Sequence, residues 1–130
     1  MDCPDCGAEA LAFAVPEECR EAVPWDDPGA AICTRCLALH PVADPPAAVP
    51  DFQRVSDAMP ADADAALPMA LALGLLRNLA LYRSEISTLL DRVERAGSDP
   101  LLVLDRLAAD EGLETDLDLA GRRRQLEQLL

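Results

Sequence analysis

The chain contains no lysine, a single histidine and few aromatic residues, namely one Trp, one Tyr and two Phe among 130 residues. All eleven basic residues are arginines, and 24 acidic residues outnumber them, which leaves a formal net charge of −13. Nonspecific nucleic-acid binding depends on basic side chains that neutralise phosphates, so this balance argues against it. The longest run without a charge, residues 65–76, has twelve residues, whereas a membrane-spanning helix needs roughly twenty. We therefore expect no membrane span and no nucleic-acid partner.

The acidity itself has a composition that points to the solvent. Aspartate outnumbers glutamate by 15 to 9, and alanine and leucine are abundant. Lysine-free, aspartate-rich proteins of this kind are typical of organisms that live in molar salt, where a charged surface stays hydrated and repulsive. We therefore interpret the acidic clusters as an adaptation to salt, and not as binding sites.

Two cysteine pairs carry the strongest chemical signal. Each pair has two residues between its cysteines, a spacing that lets both sulfurs point at one tetrahedral metal. The first pair lies in the segment Cys3-Pro4-Asp5-Cys6-Gly7 and the second in Cys33-Thr34-Arg35-Cys36. Together they predict a structural zinc site with four ligands: Cys3, Cys6, Cys33 and Cys36. Such a site would hold together a segment too small to fold on apolar burial alone.

Other uses of the cysteines are weaker. A thioredoxin-like redox pair needs a helix after one Cys-x2-Cys, and neither pair has a helical sequence after it. A disulfide framework suits a secreted domain, but no signal peptide is recognisable before Cys3 and the five cysteines are odd in number. Thiolates kept as metal ligands predict the reducing cytoplasm as the location.

Three residues near the predicted site have less certain roles. Cys19 is interpreted as a buried free thiol, with an exchanging metal ligand as the alternative. His40 follows Cys36 by four residues, but four cysteines already fill the shell, so we expect an ordinary strand residue. The second knuckle has Leu37 where the first has Gly7, so its exit must differ or be strained.

The chain divides into three predicted segments. Residues 1–42 are predicted to be a four-cysteine zinc ribbon with short strands at Leu11–Val15, Ala30–Ile32 and Leu37–His40. Six of the eleven prolines fall between Pro41 and Pro68. Residues 43–66 are therefore predicted to be a Pro/Ala/Asp-rich linker, from which Val49, Phe52 and Val55 could dock on a neighbouring surface. Residues 67–130 are predicted to be helical.

In the helical part, apolar residues first follow a heptad-like alternation of three and four residues. The residues in this seam are Ala72, Leu75, Leu79, Tyr82, Ile86, Leu89 and Val93. The pattern predicts one helix from Leu67 to Arg95 that Gly97 ends. Asp99 and Pro100 are the residues expected to start a second helix, which Gly112 ends, and a third runs from about Asp118 to Leu129. The predicted fold class is a small zinc-stabilised β ribbon followed by an α-helical hairpin or three-helix part.

The first predicted helix is apolar on more than one face. Leu71, Leu73, Leu76, Leu81 and Leu90 lie off the seam. This surplus would pack on the ribbon, on a second copy of the chain or on another protein. The run Arg122–Arg124 is expected to be a solvated face balanced by nearby acids.

The segment Cys3-Pro4-Asp5-Cys6-Gly7 resembles the CPxCG knuckle of small zinc-finger proteins of haloarchaea. With the second pair and the lysine-free composition, the chain is similar to an uncharacterised haloarchaeal family that has an N-terminal zinc ribbon and a helical tail. The resemblance covers residues 3–42 by motif and the tail only in character. It implies the ligands Cys3, Cys6, Cys33 and Cys36, and it implies an interaction or regulatory module. Leu37 departs from the pattern, which has glycine at that position.

These observations favour a non-catalytic zinc-binding adaptor or regulatory protein. No acid, base and nucleophile converge anywhere in the sequence, which argues against catalysis. The helical region, with its surplus apolar surface, would bind a protein partner or form a homodimer. One alternative is a transcription- or RNA-associated zinc ribbon, against which Arg20 and Arg35 stand as the ribbon's only basic residues. A thiol-based redox protein that uses Cys19 is a weaker alternative.

Overall fold

The computed structural model describes residues 1–129. It contains an N-terminal three-stranded antiparallel sheet and, in the C-terminal part of the described chain, four α-helices, as the fold class predicts. The strands are β1 (Ala10–Ala14), β2 (Gly29–Cys33) and β3 (Leu39–Val42); the helices are α1 (Ala63–Leu75), α2 (Arg83–Arg95), α3 (Pro100–Ala108) and α4 (Leu119–Leu129). Short 3₁₀ segments lie at Glu17–Ala22, Phe52–Arg54 and Leu76–Asn78. None of the helices within residues 1–129 is long and apolar enough to cross a membrane.

The sheet forms where the sequence alternates. Leu11 and Phe13 are buried on one face of β1, while Ala12 is half-buried and Ala14 exposed. β2 lies in the centre of the order β1-β2-β3, and all five of its residues are buried. β3 is an edge strand, which is where Pro41 is tolerated because it has no N–H to donate. The three predicted strands are confirmed, but the third begins at Leu39 and not at the predicted Leu37, which lies in the turn after Cys36 with a positive φ.

The long connection between β1 and β2 is structured. Its 3₁₀ segment Glu17–Ala22 packs against α2 and buries Cys19 and Ala22. Trp25 is half-buried against the core, and its indole N–H donates to the Gly29 carbonyl at 3.2 Å. The residues that separate the two cysteine pairs therefore build a contact between the sheet and the helices.

The prediction of one helix from Leu67 to Arg95 is wrong. The helix starts earlier, at Ala63, where the Asp62 side chain caps it by accepting from the Asp64 N–H. It then breaks between Leu75 and Arg83, and α1 and α2 pack against each other. No proline or glycine lies among residues 76–82, and the glycine nearest to the break is Gly74, the penultimate residue of α1. Folding back allows both faces to be buried, which a single straight helix would leave exposed.

The surplus leucines of that region are accordingly covered by the chain itself. Leu71, Leu73, Leu76 and Leu90 are at most 1% exposed, whereas Leu81, in the turn before α2, is 70% exposed. Of the covers expected for these leucines, the ribbon of the same chain is the one that the structure shows: four of the five share a buried cluster with Phe13 and Ile32 of the sheet, and Leu81 stays exposed.

The other helix ends follow local chemistry. α2 closes with a Schellman motif, in which the N–H of Ser98 donates to the Val93 carbonyl and Gly97 has a φ of 97°. Asp99 accepts from the N–H groups of Leu101 and Leu102, and Pro100 is the first helical residue, as predicted. α3 ends at Ala108, earlier than the predicted Gly112. In α4, Leu119 and Leu126 are buried but Leu129 is 39% exposed.

One apolar core joins the sheet, the middle segment and the helices. Leu11, Phe13 and Ile32 of the sheet belong to the same buried cluster as Leu104 and Leu126 of the helices. The middle segment contributes the side chains of Phe52, Val55 and Met59 to this cluster, whereas Val49, which was also expected to dock, is exposed. The Phe52 ring meets the Phe13 ring edge-to-face with centroids 5.2 Å apart. The division into segments 1–42, 43–66 and 67–130 stays a prediction; the helical part begins a few residues before 67, and residue 130 lies outside the described residues.

At Gly74, α1 approaches the sheet closely. A Cβ placed there would lie 2.3 Å from the Leu39 Cβ and 2.5 Å from its Cδ2. Glycine is therefore required by the packing of α1 on β3, and not by the helix backbone.

Candidate metal centre

The two cysteine pairs form two knuckles with the same backbone hydrogen bonds. The N–H of Cys3 donates to the Ala8 carbonyl at 2.7 Å, and the N–H of Cys33 donates to the Ala38 carbonyl at 2.9 Å. The fourth residue after each first cysteine has a positive φ, 80° at Gly7 and 66° at Leu37. Two turns of unrelated sequence thus take one conformation, which aims each pair of sulfurs at a common point.

The sulfurs of the four predicted ligands come together at that point. The Cys3 and Cys36 Sγ atoms lie 3.7 Å apart, and those of Cys6 and Cys33 lie 3.4 Å apart. All four lie within 4.8 Å of one another, and none is in a disulfide. A tetrahedron with Zn–S bonds of about 2.3 Å requires sulfurs about 3.8 Å apart. The arrangement fits a metal ion bound by four thiolates.

Backbone N–H groups point at these sulfurs. In the second knuckle, the N–H groups of Arg35 and Cys36 both donate to the Cys33 sulfur at 3.4 Å. Burial raises the pKa of Cys3, but N–H groups of Cys6 and Asp5 outweigh it and lower the pKa overall. The N–H of Ala8 lowers the pKa of Cys6. These N–H groups therefore favour the thiolate form of the first knuckle's cysteines.

The second knuckle lies deeper. Burial raises the pKa of Cys33, and burial together with the neighbouring sulfurs raises the pKa of Cys36 to about 12. Four adjacent thiolates are electrostatically unfavourable unless a cation compensates them. A bound divalent metal would supply that charge and displace the thiol protons.

Leu37 takes the position of a knuckle glycine at an energetic cost. A left-handed conformation costs a non-glycine residue about 1–2 kcal/mol. Its side chain is fully buried in the main core, and full burial of a leucine contributes about 1.5–3 kcal/mol. Burial therefore offsets the strain, which explains the departure from the CPxCG pattern: this knuckle is also a core contact.

Because Leu37 has a positive φ, its glycine variant should be more stable than its alanine variant, the reverse of the usual order. Leu37→Ala should lower the free energy of unfolding by about 3 kcal/mol, because the burial is lost and the strain remains. Leu37→Gly should lower it by about 1 kcal/mol less, since glycine adopts the positive φ freely. Urea titration of both variants measures the difference. Ala31→Gly, in the middle of β2, is the control and should show ordinary glycine destabilisation; Leu37→Gly less stable than Leu37→Ala would contradict the argument.

His40 lies in β3, as predicted, but its ring is aimed at the sulfur cluster. The Nε2 atom is 4.0 Å from the Cys3 Sγ and 3.5 Å from the Asp5 Oδ2. Both neighbours accept hydrogen bonds, so the Nε2–H tautomer suits the position. With four cysteines present, the ring is placed to support a ligand from outside the shell.

Loss of this support should weaken metal retention without unfolding the chain. We expect His40→Ala to release metal to a chelator about tenfold faster, in line with other outer-shell residues. His40→Gln keeps an N–H donor and should restore part of the retention. Stopped-flow mixing with a chromogenic chelator measures the rate, and equal rates for all three proteins would remove His40 from the site.

The second knuckle is held by the helical part as well as by the sheet. The Arg77 side chain donates to the Cys36 carbonyl at 3.0 Å and pairs with Asp116. The N–H of Glu114 donates to the Arg35 carbonyl at 2.9 Å. These contacts were not predicted, because their partners lie 41 and 79 residues apart in sequence. They make the cysteine cluster part of the same structure as the helices.

A family model described as a family of unknown function (DUF6276) matches residues 2–130. The chain belongs to DUF6276. No curated protein and no solved structure matches it. The match covers the knuckles and the helices together, so the DUF6276 family model includes both parts of the chain.

Cys19 of this DUF6276 chain lies apart from the other cysteines. It is buried, carries no disulfide and is not in the sulfur cluster. Burial raises its pKa despite the nearby Arg92. The interpretation of Cys19 as a buried free thiol is confirmed, and a protonated, covered thiol is a poor nucleophile.

Proposed function

We propose that this chain is a non-catalytic zinc-binding adaptor or regulatory protein of the cytoplasm that binds a protein partner through its helical part. The observation that carries the proposal is the closed cluster of four cysteine sulfurs. A catalytic zinc keeps a coordination position open for water or substrate, whereas four thiolates complete a structural shell. Zinc is the metal for which such tetrathiolate sites are typical.

The surroundings of the cluster agree with a structural role. The sulfurs of Cys3, Cys33 and Cys36 belong to buried residues, and only Cys6 is exposed. Arg77 and Glu114 tie the second knuckle to the helices. Zinc in this position would stabilise the sheet and, through these contacts, the surface that the helices present.

The surface of the helical part, which would bind the partner, carries exposed apolar residues. Leu81 is 70% exposed in the turn between α1 and α2, and Leu102 on α3 is 46% exposed. Single exposed leucines are common on protein surfaces, so they support a partner site only together with a direct test.

The test is photocrosslinking in the organism that produces the protein. A benzophenone amino acid at position 81 should capture a defined protein, whereas the same group at Asp26, an exposed position beside the sheet, should capture none. The Cys33→Ser variant with the crosslinker at 81 should lose the product. Crosslinks to RNA or DNA would instead support the zinc ribbon of a nucleic-acid machinery, and no product at 81 or 102 would contradict the adaptor.

A further inference from the structure

A groove with positive charge lies between the turn before α2 and the outer face of α4. Two adjoining concavities of about 400 and 270 Å³ share Arg122, Gln125 and Gln128 in their walls. Arg83 and Leu129 line one of them, and Arg124 lines the other. We call this feature the arginine groove.

The arginine groove differs in charge from the rest of the chain. Three arginines line it against one acid, Asp118, whose Oδ1 already accepts from the Gly121 N–H at 3.0 Å. Within residues 1–129, no carboxylate pairs with Arg83 or Arg124. By contrast, Asp91 and Glu94 line a concavity on α2 that has no basic residue. The arginine groove thus has an excess of positive charge in a chain of net charge −13, which favours an anionic ligand.

One of the arginines is held in place before any ligand binds. The Arg122 guanidinium donates to the Gln125 side chain at 2.9 Å and to the Arg77 carbonyl at 3.2 Å. Arg123, next in sequence, pairs instead with Asp105 and Glu127. The expected balance by nearby acids is confirmed at Arg123, which pairs with Glu127, whereas Arg122 and Arg124 line the groove, in which Asp118 is the acid.

The walls also offer apolar contact. Leu79 and Ala80 line the groove beside Leu129, and Leu81 follows Ala80 with most of its side chain exposed. The amides of Gln125 and Gln128 can both donate and accept hydrogen bonds. Charge and apolar surface together fit a ligand that carries carboxylates and aliphatic side chains side by side.

We propose that the arginine groove binds an acidic amphipathic peptide segment of a protein partner. This rests on the proposed adaptor function and names the chemistry of its partner. A nucleic acid fits the groove less well because no aromatic residue lines it for base stacking.

Fluorescence anisotropy with defined probes tests the proposal on the full metal-loaded chain. The probe is a fluorescein-labelled amphipathic peptide of glutamate and leucine, and its counterpart carries lysine in place of glutamate. The protein should bind the glutamate peptide and not the lysine peptide, and added KCl should weaken the binding. The lowest KCl concentration at which circular dichroism shows the native helix content is the working condition.

Two variants and a matched control locate the site. Arg83→Glu and Arg124→Glu should each weaken binding about tenfold or more. Arg20→Glu makes the same charge change at an exposed arginine that no carboxylate of residues 1–129 pairs with, and it should bind like the wild type. Metal content and circular dichroism confirm that all three are folded.

Any other result would contradict the proposal that the arginine groove binds an acidic peptide. Equal binding of the two peptides, or an equal loss in all three variants, would show that the groove does not select the acidic ligand. Tighter, arginine-dependent binding of a single-stranded oligonucleotide would make nucleic acid the occupant. Absence of peptide binding together with a protein crosslink at position 81 or 102 would reject the groove and keep the adaptor, whereas absence of both would reject the two together.

Discussion

Replacing Cys33 by serine is expected to abolish stoichiometric metal binding and to unfold the three-stranded sheet. Cys33 is fully buried, its sulfur is 3.4 Å from that of Cys6, and its residue ends the central strand. Structural zinc contributes on the order of 10 kcal/mol to folding in small domains, more than most domains have in total stability. Because the sheet shares its core with the helices, thermal unfolding of the helices should also shift to lower temperature.

The measurements are metal content by mass spectrometry and circular dichroism, on protein purified without added metal. Wild-type protein should carry one metal ion per chain, and so should Cys19→Ala, which removes a buried thiol outside the cluster. Equal metal loss from both variants, or a folded Cys33→Ser protein without metal, would refute the four-cysteine site.

Replacing Gly74 by alanine is expected to be the most damaging single-methyl change in the chain. At an exposed helical site, glycine to alanine stabilises by about 1 kcal/mol. At Gly74 the added Cβ would lie 2.3 Å from the Leu39 Cβ, so α1 must move away from β3. We expect the free energy of unfolding to fall by about 3 kcal/mol, measured by urea titration.

A second substitution separates this clash from a general effect on the helix. Leu39→Gly removes the Cβ that the new methyl group meets, so the double variant should lose much less stability than the two single changes add up to. Leu39→Ala keeps that Cβ and should show weak coupling. Additive effects of Gly74→Ala and Leu39→Gly would mean that the contact between α1 and β3 is not what glycine preserves.

Much of the local structure could be predicted from the residues. The Cys-x2-Cys spacing predicted which four sulfurs meet, since two residues between cysteines confine both sulfurs to one side of a turn. The alternation at Leu11 and Phe13 predicted a strand buried on one face. Asp99, Pro100 and Gly97 predicted a helix start and a helix end, because capping depends on neighbours within one turn.

The failures came where distant parts of the chain meet. The heptad seam predicted one helix, but the break between Leu75 and Arg83 exists because α1 and α2 bury each other's leucines. The same packing buries Leu71, Leu73 and Leu76, for which the sequence left open whether the ribbon, a second copy or another protein would cover them. The positive φ of Leu37 is likewise stable only because its side chain is buried in the core. The sequence therefore predicted strain or a different exit at Leu37, but not the burial that offsets the strain.

The sequence by itself determined which four sulfurs meet, the strands of the ribbon and the N-cap of α3, all of which depend on spacings of a few residues. Only the tertiary structure decided that α1 folds back on α2, that Arg77 and Glu114 hold the second knuckle, and that Arg83 joins Arg122 and Arg124 in one groove. Those features depend on which surfaces are covered when the sheet and helices share a core, and apolar burial is nearly non-directional. Apolar burial stabilises any arrangement that removes the same area from water. Which arrangement forms therefore depends on the packing of the whole chain and not on a local pattern.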